Sequence, residues 1–171
     1  MSASLGYAVG PLSIGAIFDQ TGTGTTTMTP DAKVRRAAVA MTADVSRVRL
    51  YAGYRWAKAY DGAVLTGAMP GDANQASNYY WAGVRYSATP ALNLTAAAYY
   101  QDFRNTNADP WLFSLLADYN LSKRTDLYLA LGYTLNKRGS NLGLSNGSSG
   151  FGQTSPGANQ FGTTAGIRHR F

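Results

Sequence analysis

Between Leu127 and Asn136, apolar residues alternate with small or polar ones. Leu127, Leu129, Leu131, Tyr133 and Leu135 are interleaved with Tyr128, Ala130, Gly132, Thr134 and Asn136. Successive side chains of a β-strand point to opposite faces, so this segment has one greasy wall and one small or polar wall. Trp111, Phe113, Leu115, Ala117, Tyr119 and Leu121 repeat the pattern, with Leu112 and Leu116 blurring the second face. Val48, Leu50, Ala52, Tyr54 and Trp56 repeat it again, now against Arg47, Arg49, Tyr51, Gly53 and Arg55. Three arginines cannot be packed into an apolar core without partners, so that second face must be wet.

The same periodicity predicts nine strands, at 2–9, 12–20, 33–43, 46–58, 78–87, 91–103, 110–121, 125–137 and 160–171. Most are close to the ~9–11 residues that a tilted strand needs to cross a bilayer. Their connections alternate strictly in kind. Gly10-Pro11, Asp44-Val45, Ala88-Thr89-Pro90 and Ser122-Lys123-Arg124 read as tight turns, whereas 21–32, 59–77, 104–109 and 138–159 are longer and rich in Gly, Ser, Thr, Asn and Pro. Short periplasmic turns and long external loops are how outer-membrane barrels are built, and a soluble sandwich has no reason to keep that order. The expected fold is therefore all-β, an antiparallel transmembrane meander occupying residues 1–171 as one barrel domain.

With the short turns placed in the periplasm, the last strand ends at Phe171 on the periplasmic side and the first begins at the outer surface. Complete single-chain bacterial barrels have an even strand number and periplasmic termini. Nine strands starting outside thus predict an incomplete part of a larger barrel, with two unpaired edges and either an open or a narrowly closed sheet. Lipid-side aromatics fall into two belts on this orientation: Phe18, Tyr54, Trp56, Tyr80, Tyr100, Trp111, Tyr133 and Phe161 outside, and Tyr7, Tyr86, Tyr119 and Phe171 towards the periplasm. Such girdles mark the two membrane interfaces.

Composition agrees. Among 171 residues there are 19 Gly and 12 Tyr, and every acidic residue is Asp; Tyr fits a pleated surface, while Gly and Asp favour turns. No run approaches 18 apolar residues, so a transmembrane helix is not expected. The chain has no cysteine, which removes disulfides and thiolate metal sites. Met1-Ser2-Ala3-Ser4-Leu5-Gly6-Tyr7 shows neither a basic nor an apolar segment of a secretory signal, as expected of a mature or truncated exported protein.

The ending Phe161-Gly162-Thr163-Thr164-Ala165-Gly166-Ile167-Arg168-His169-Arg170-Phe171 resembles the C-terminal strand of Gram-negative trimeric porins of the Burkholderia and Neisseria type. Tyr79-Tyr80-Trp81-Ala82-Gly83-Val84-Arg85-Tyr86-Ser87-Ala88-Thr89-Pro90 and Leu5-Gly6-Tyr7-Ala8-Val9-Gly10-Pro11-Leu12 resemble strand–turn passages of the same family. The likeness spans essentially the whole chain. It implies the C-terminal half of a sixteen-stranded barrel in the outer membrane, lacking seven N-terminal strands and the acidic loop that narrows the pore. It also implies a homotrimer, and it makes Phe161, Ile167, His169 and Phe171 the signal read by the barrel-assembly machinery.

The alternation places Arg36, Arg47, Arg49, Arg55, Arg85 and Arg168 on the pore side, with Arg170 at the periplasmic mouth. In the resembled family a ladder of wall arginines faces the acidic loop across the pore, and Arg49, Arg55 and Arg85 are the candidates for it here. Lys33, Lys58, Arg104, Lys137 and Arg138 read as solvated loop-end cations. The formal charge of +6 invites a nucleic-acid reading, but these arginines alternate with lipid-type residues rather than gathering into a footprint, so no nucleic-acid partner is expected. His169, the sole histidine, leaves no metal site in view.

There is no Gly-x-Ser-x-Gly elbow, and Gly22-Thr23-Gly24 lacks the spacing of a phosphate loop. Asn93-Leu94-Thr95 and Asn146-Gly147-Ser148 match the glycosylation pattern by chance. No enzyme and no cofactor are expected. The sequence thus points to a porin segment in contact with outer-membrane lipid, passing small hydrophilic solutes with a preference for anions. The alternatives are a small self-contained outer-membrane barrel with a structural or enzymatic role and, more remotely, a soluble basic β-sandwich.

Overall fold

The structure, a computed structural model, describes residues 1–24, 29–65, 73–104, 106–144 and 154–171. Nine strands follow in chain order: β1 (Ser2–Val9), β2 (Leu12–Gly22), β3 (Lys33–Val45), β4 (Val48–Tyr60), β5 (Ala76–Ser87), β6 (Leu92–Phe103), β7 (Trp111–Asn120), β8 (Thr125–Leu135) and β9 (Gln160–His169). Each pairs antiparallel with the next, in one sheet of order β1 to β9. β1 and β9 pair on one side only, so the sheet is open, the first of the two forms expected of nine strands and not the small closed barrel.

The tight connections sit at one end of the sheet, the turn end, and the long ones at the other, the loop end. Val9 pairs with Leu12 across Gly10-Pro11, with Gly10 at a φ of 53° that an unbranched backbone takes readily. The next turn lies two residues later than the sequence suggested. Val45 pairs with Val48, and Ser46-Arg47 make the turn, Ser46 having a φ of 56°. Branched valines suit the pleat, whereas the short polar Ser46 tolerates the left-handed turn better than Val45 would. Arg47 therefore stands in the turn and not on β4.

Other boundaries shift by one or two residues. β2 runs on to Gly22 and β4 to Tyr60, while β8 stops at Leu135 and β9 at His169. Asn136 leaves the ladder because its side chain organises the following loop. Its Nδ2 donates to Leu142 O (2.9 Å), Thr154 Oγ1 (3.1 Å) and Ala158 O (2.7 Å), and its Oδ1 accepts from Leu142 N (2.8 Å) and Ser140 Oγ (3.1 Å).

Parity sorts the side chains. One face carries Leu5, Tyr7, Ile14, Val39, Leu50, Val84, Leu94, Leu115, Leu129 and Ile167, all large, apolar and exposed. Near the loop end this face bears a stripe of rings across four strands. Tyr54 lies 5.2 Å from Tyr80, Tyr80 6.3 Å from Tyr100, Tyr100 4.6 Å from Trp111, and Trp111 5.8 Å from Phe113. One step beyond that stripe towards the loops, polar groups take over the same face. Arg35 Nε donates to Gln20 (2.8 Å), Asn78 Nδ2 donates to Asp102 (3.0 Å), and Lys58 Nζ sits 5.2 Å from the Tyr60 ring. An exposed apolar band with an aromatic margin and a polar rim is stable only against hydrocarbon.

The opposite face is small or polar over most of its area. Near the loop end it is covered: Val34, Ala57 and Phe103 are buried with Ala32, Ala63 and Leu65 in a small apolar cluster. The covering segment is tied down by Asn74 N to Ala63 O (2.9 Å) and Ala59 N to Gln75 O (2.9 Å).

Candidate pore-lining face

The face opposite the apolar band collects most of the arginines that the alternation singled out. In the ladders Asp19 pairs with Arg36, Ala38 with Arg55, Asp44 with Arg49, Arg49 with Arg85, and Asp126 with Arg168. Antiparallel partners share a face, so Arg36, Arg49, Arg55, Arg85 and Arg168 all stand on it. Arg47 borders the cavity formed by Asp44, Arg49 and Arg85 from its place in the turn.

Three of these arginines have carboxylate partners. Arg36 Nη1 donates to Asp19 Oδ1 (2.8 Å), and Arg49 holds Asp44 with two parallel bonds, Nη2 to Oδ2 at 2.7 Å and Nε to Oδ1. Arg168 does the same with Asp126, through Nη2 (2.7 Å) and Nε (3.1 Å), and approaches Asp118 at 3.8 Å. Asp126 is 3% exposed and also lies 3.7 Å from Arg170. Such a carboxylate is tolerable away from water because two guanidiniums neutralise it.

Arg55 and Arg85 are in no ion pair among the described residues. The Arg55 guanidinium lies 4.7 Å over the Tyr79 ring, and its Nε is buried without a hydrogen-bond partner. Across the face five strand arginines meet four aspartates, Asp19, Asp44, Asp118 and Asp126, and the unpaired positive charge falls on β4 and β5.

The aspartate partners were not singled out from the sequence, nor were four aromatic residues of the same face: Tyr51, Tyr79, Trp81 and Tyr99. Parity carried the signal, since Tyr79, Trp81 and Arg85 are odd-numbered members of one strand. Trp81 lies over Gly53, where any Cβ would overlap its ring. With Arg55 these rings border a cavity of 470 Å³.

The remaining sequence candidates are dispersed. Phe161, Ile167 and His169 stand on the apolar face of β9, and Phe171 follows the strand with its ring 5.0 Å from His169, edge-on. His169 Nδ1 is 2.9 Å from Thr125 Oγ1. Lys33 is paired with Asp61 at 2.8 Å, and Asn93 Oδ1 accepts from Ser87 Oγ (2.9 Å). Thr23 N, in Gly22-Thr23-Gly24, donates to Ala32 O (2.8 Å), and no helix follows among the described residues. Asn146-Gly147-Ser148 lies outside the described residues.

The fold is shared with solved outer-membrane proteins. An anion-selective porin from Comamonas acidovorans superposes with a TM-score of 0.82 at 23% identity, over 98% of this chain and 48% of that one. The outer-membrane-expressed OmpT of Vibrio cholerae gives 0.66 at 19% identity, over 97% and 54%, and the trimer form of in-vitro folded OmpT from the same organism gives 0.66 at 16%, over 98% and 54%. This chain thus spans about half the length of the solved structures it matches. No curated protein matches it in sequence. The sequence profile described as Gram-negative porin matches residues 1–139. With that match over most of its length, the chain belongs to the Gram-negative porin family, whose members are proteins of the outer membrane.

Proposed function

We propose that this chain forms about half the wall of a non-enzymatic diffusion pore, passing small hydrophilic solutes and favouring anions. The apolar face meets outer-membrane lipid, the turn end lies in the periplasm, and the arginine-bearing face lines the water-filled interior. The observation that carries the anion preference is the unpaired charge of Arg55 and Arg85 on that face, where Arg36, Arg49 and Arg168 are neutralised by aspartates. An uncompensated cation beside a low-dielectric wall raises the local anion concentration. The anion selectivity of the Comamonas porin supports the same sign.

The complete pore would be a homotrimer, in keeping with the trimer form of the Vibrio protein. Phe161, Ile167, His169 and Phe171 would present the terminal strand to the barrel-assembly machinery. Reversal potentials in a salt gradient across a planar bilayer test the function. The chain would be measured by itself and joined to the strands needed to close a sixteen-stranded barrel. Anion-selective steps from the closed form, weakened in Arg55→Gln and Arg85→Gln, are the expected result. Cation selectivity, or no conductance from the closed form, would overturn it.

A further inference from the structure

We propose that the niche beneath Arg55 is a binding site for monocyclic aromatic carboxylates, a subsite on the pore wall. This rests on the reading of the arginine-bearing face as water-filled. Aromatic residues of a membrane barrel belong at the lipid interfaces, yet Tyr79, Trp81 and Tyr99 stand on the other face and cluster there. Tyr79 lies 6.0 Å from Trp81 at 42° and 6.1 Å from Tyr99 at 28°.

The rings do not close on one another. They border a 470 Å³ cavity with Arg55 at its side, within the ~300–1,000 Å³ usual for small-molecule sites. Glycines keep the space open. Gly53 lets the Trp81 indole come close to the β4 backbone, and a Cβ on Gly83 would come within 3.0 Å of Ala96 O and 3.1 Å of Ala97 Cβ.

The ligand class follows from what the niche offers. Aromatic faces favour a planar ring in offset or edge-on stacking. Arg55 Nε is buried with no hydrogen bond, and no carboxylate among the described residues pairs with this guanidinium. Stacking on Tyr79 at 4.7 Å fixes one face of the guanidinium beside the cavity, so an incoming group would be met by the Nη1–Nη2 edge, with the enclosed Nε behind it. A planar fork matches a carboxylate with two parallel bonds. One ring and one carboxylate, held by Trp81 or Tyr99 and by Arg55, satisfy every part of the site.

The test uses Trp81 as its own reporter. Trp56→Phe and Trp111→Phe, both on the opposite face, leave it the sole tryptophan of the folded, detergent-solubilised chain. Benzoate should quench its emission saturably. Cyclohexanecarboxylate, which has the charge without the aromatic ring, and benzyl alcohol, which has the ring without the charge, should each bind about tenfold more weakly. Arg55→Lys should cost about tenfold in benzoate affinity by removing the fork, as loss of a bidentate charged contact does. If that variant fails to fold, Tyr99→Leu should show the same weakening through the loss of a ring face.

Linear quenching without saturation, or equal affinity for cyclohexanecarboxylate, would overturn the site. Ion conductance of the closed sixteen-stranded form, measured in parallel, separates the two claims. Conduction without saturable benzoate binding removes the niche and leaves the pore, whereas binding without conduction keeps the niche and removes the pore.

Discussion

Arg49 and Arg85 stand directly opposite one another across the β4–β5 ladder, and only Arg49 has a carboxylate partner, Asp44. Like charges at facing positions repel, so Asp44 does two things: it screens the pair and lowers the positive potential of the wall. Asp44→Asn should strengthen anion selectivity, and Arg85→Gln should weaken it. Reversal potentials read both, and high salt should shrink each effect, since these groups are exposed. Equal selectivity in the two variants would mean that the permeating ions do not pass this patch.

Asn136 predicts a loop that can be released without opening the sheet. Its amide contacts three acceptors through Nδ2 and two donors through Oδ1, spanning 136–158. Asn136→Asp keeps the shape but turns an acceptor towards Leu142 O, Thr154 and Ala158 O. Each buried group left without a partner costs about 1–3 kcal/mol. Asn136→Asp should therefore be at least as damaging as Asn136→Ala. Limited proteolysis should find new cleavage within 138–144, while the far-ultraviolet β signal stays unchanged.

Phe171 is fully exposed, at 107%, and its one ring partner among the described residues is His169. A residue so placed contributes little to the folded sheet, so Phe171→Ala should fold in detergent as well as the parent chain. If the terminal pattern is read by the assembly machinery, the same variant should reach the outer membrane in cells poorly. Fractionation with folding-dependent gel mobility would show it. Equal amounts in the membrane would remove Phe171 from the signal.

Parity was legible in the sequence, and with it the two faces and the placement of Arg49, Arg55 and Arg85. Register was not. Asp44 and Asp19 become partners of arginines only once β3 is aligned with β4 and β2, and a single strand carries no record of that alignment. Arg47 shows how sharp the limit is: moving the turn from Asp44-Val45 to Ser46-Arg47 takes it off the strand. Leu112 looked anomalous on a polar face because its neighbour there, Leu144, comes from a loop; the two line one cavity with Gly132 and Gly162. Parity puts Tyr79, Trp81 and Tyr99 on the arginine face, but the cavity they border exists only once β4, β5 and β6 are paired.

Two glycines on the same face should respond oppositely to a methyl group. Glycine within a strand costs about 0.5–1 kcal/mol relative to alanine, because it loses more backbone freedom on folding. At Gly6 a Cβ would meet nothing closer than Ile14 O at 3.9 Å, so Gly6→Ala should stabilise the chain by about that amount. At Gly53 the Cβ would come within 2.0 Å of Trp81 Cζ2 and 2.3 Å of its Cε2. The indole is too large to yield by a small rotation, and forcing it aside should cost about 1–3 kcal/mol, which outweighs the backbone gain. Urea unfolding midpoints measure both. The cause at Gly53 is isolated by a double-mutant cycle with Trp81→Leu: in that background Gly53→Ala should become neutral or stabilising, giving a coupling of about 1–3 kcal/mol. Additive effects would place the strain elsewhere, and the floor of the aromatic niche would then owe its shape to something other than this pair.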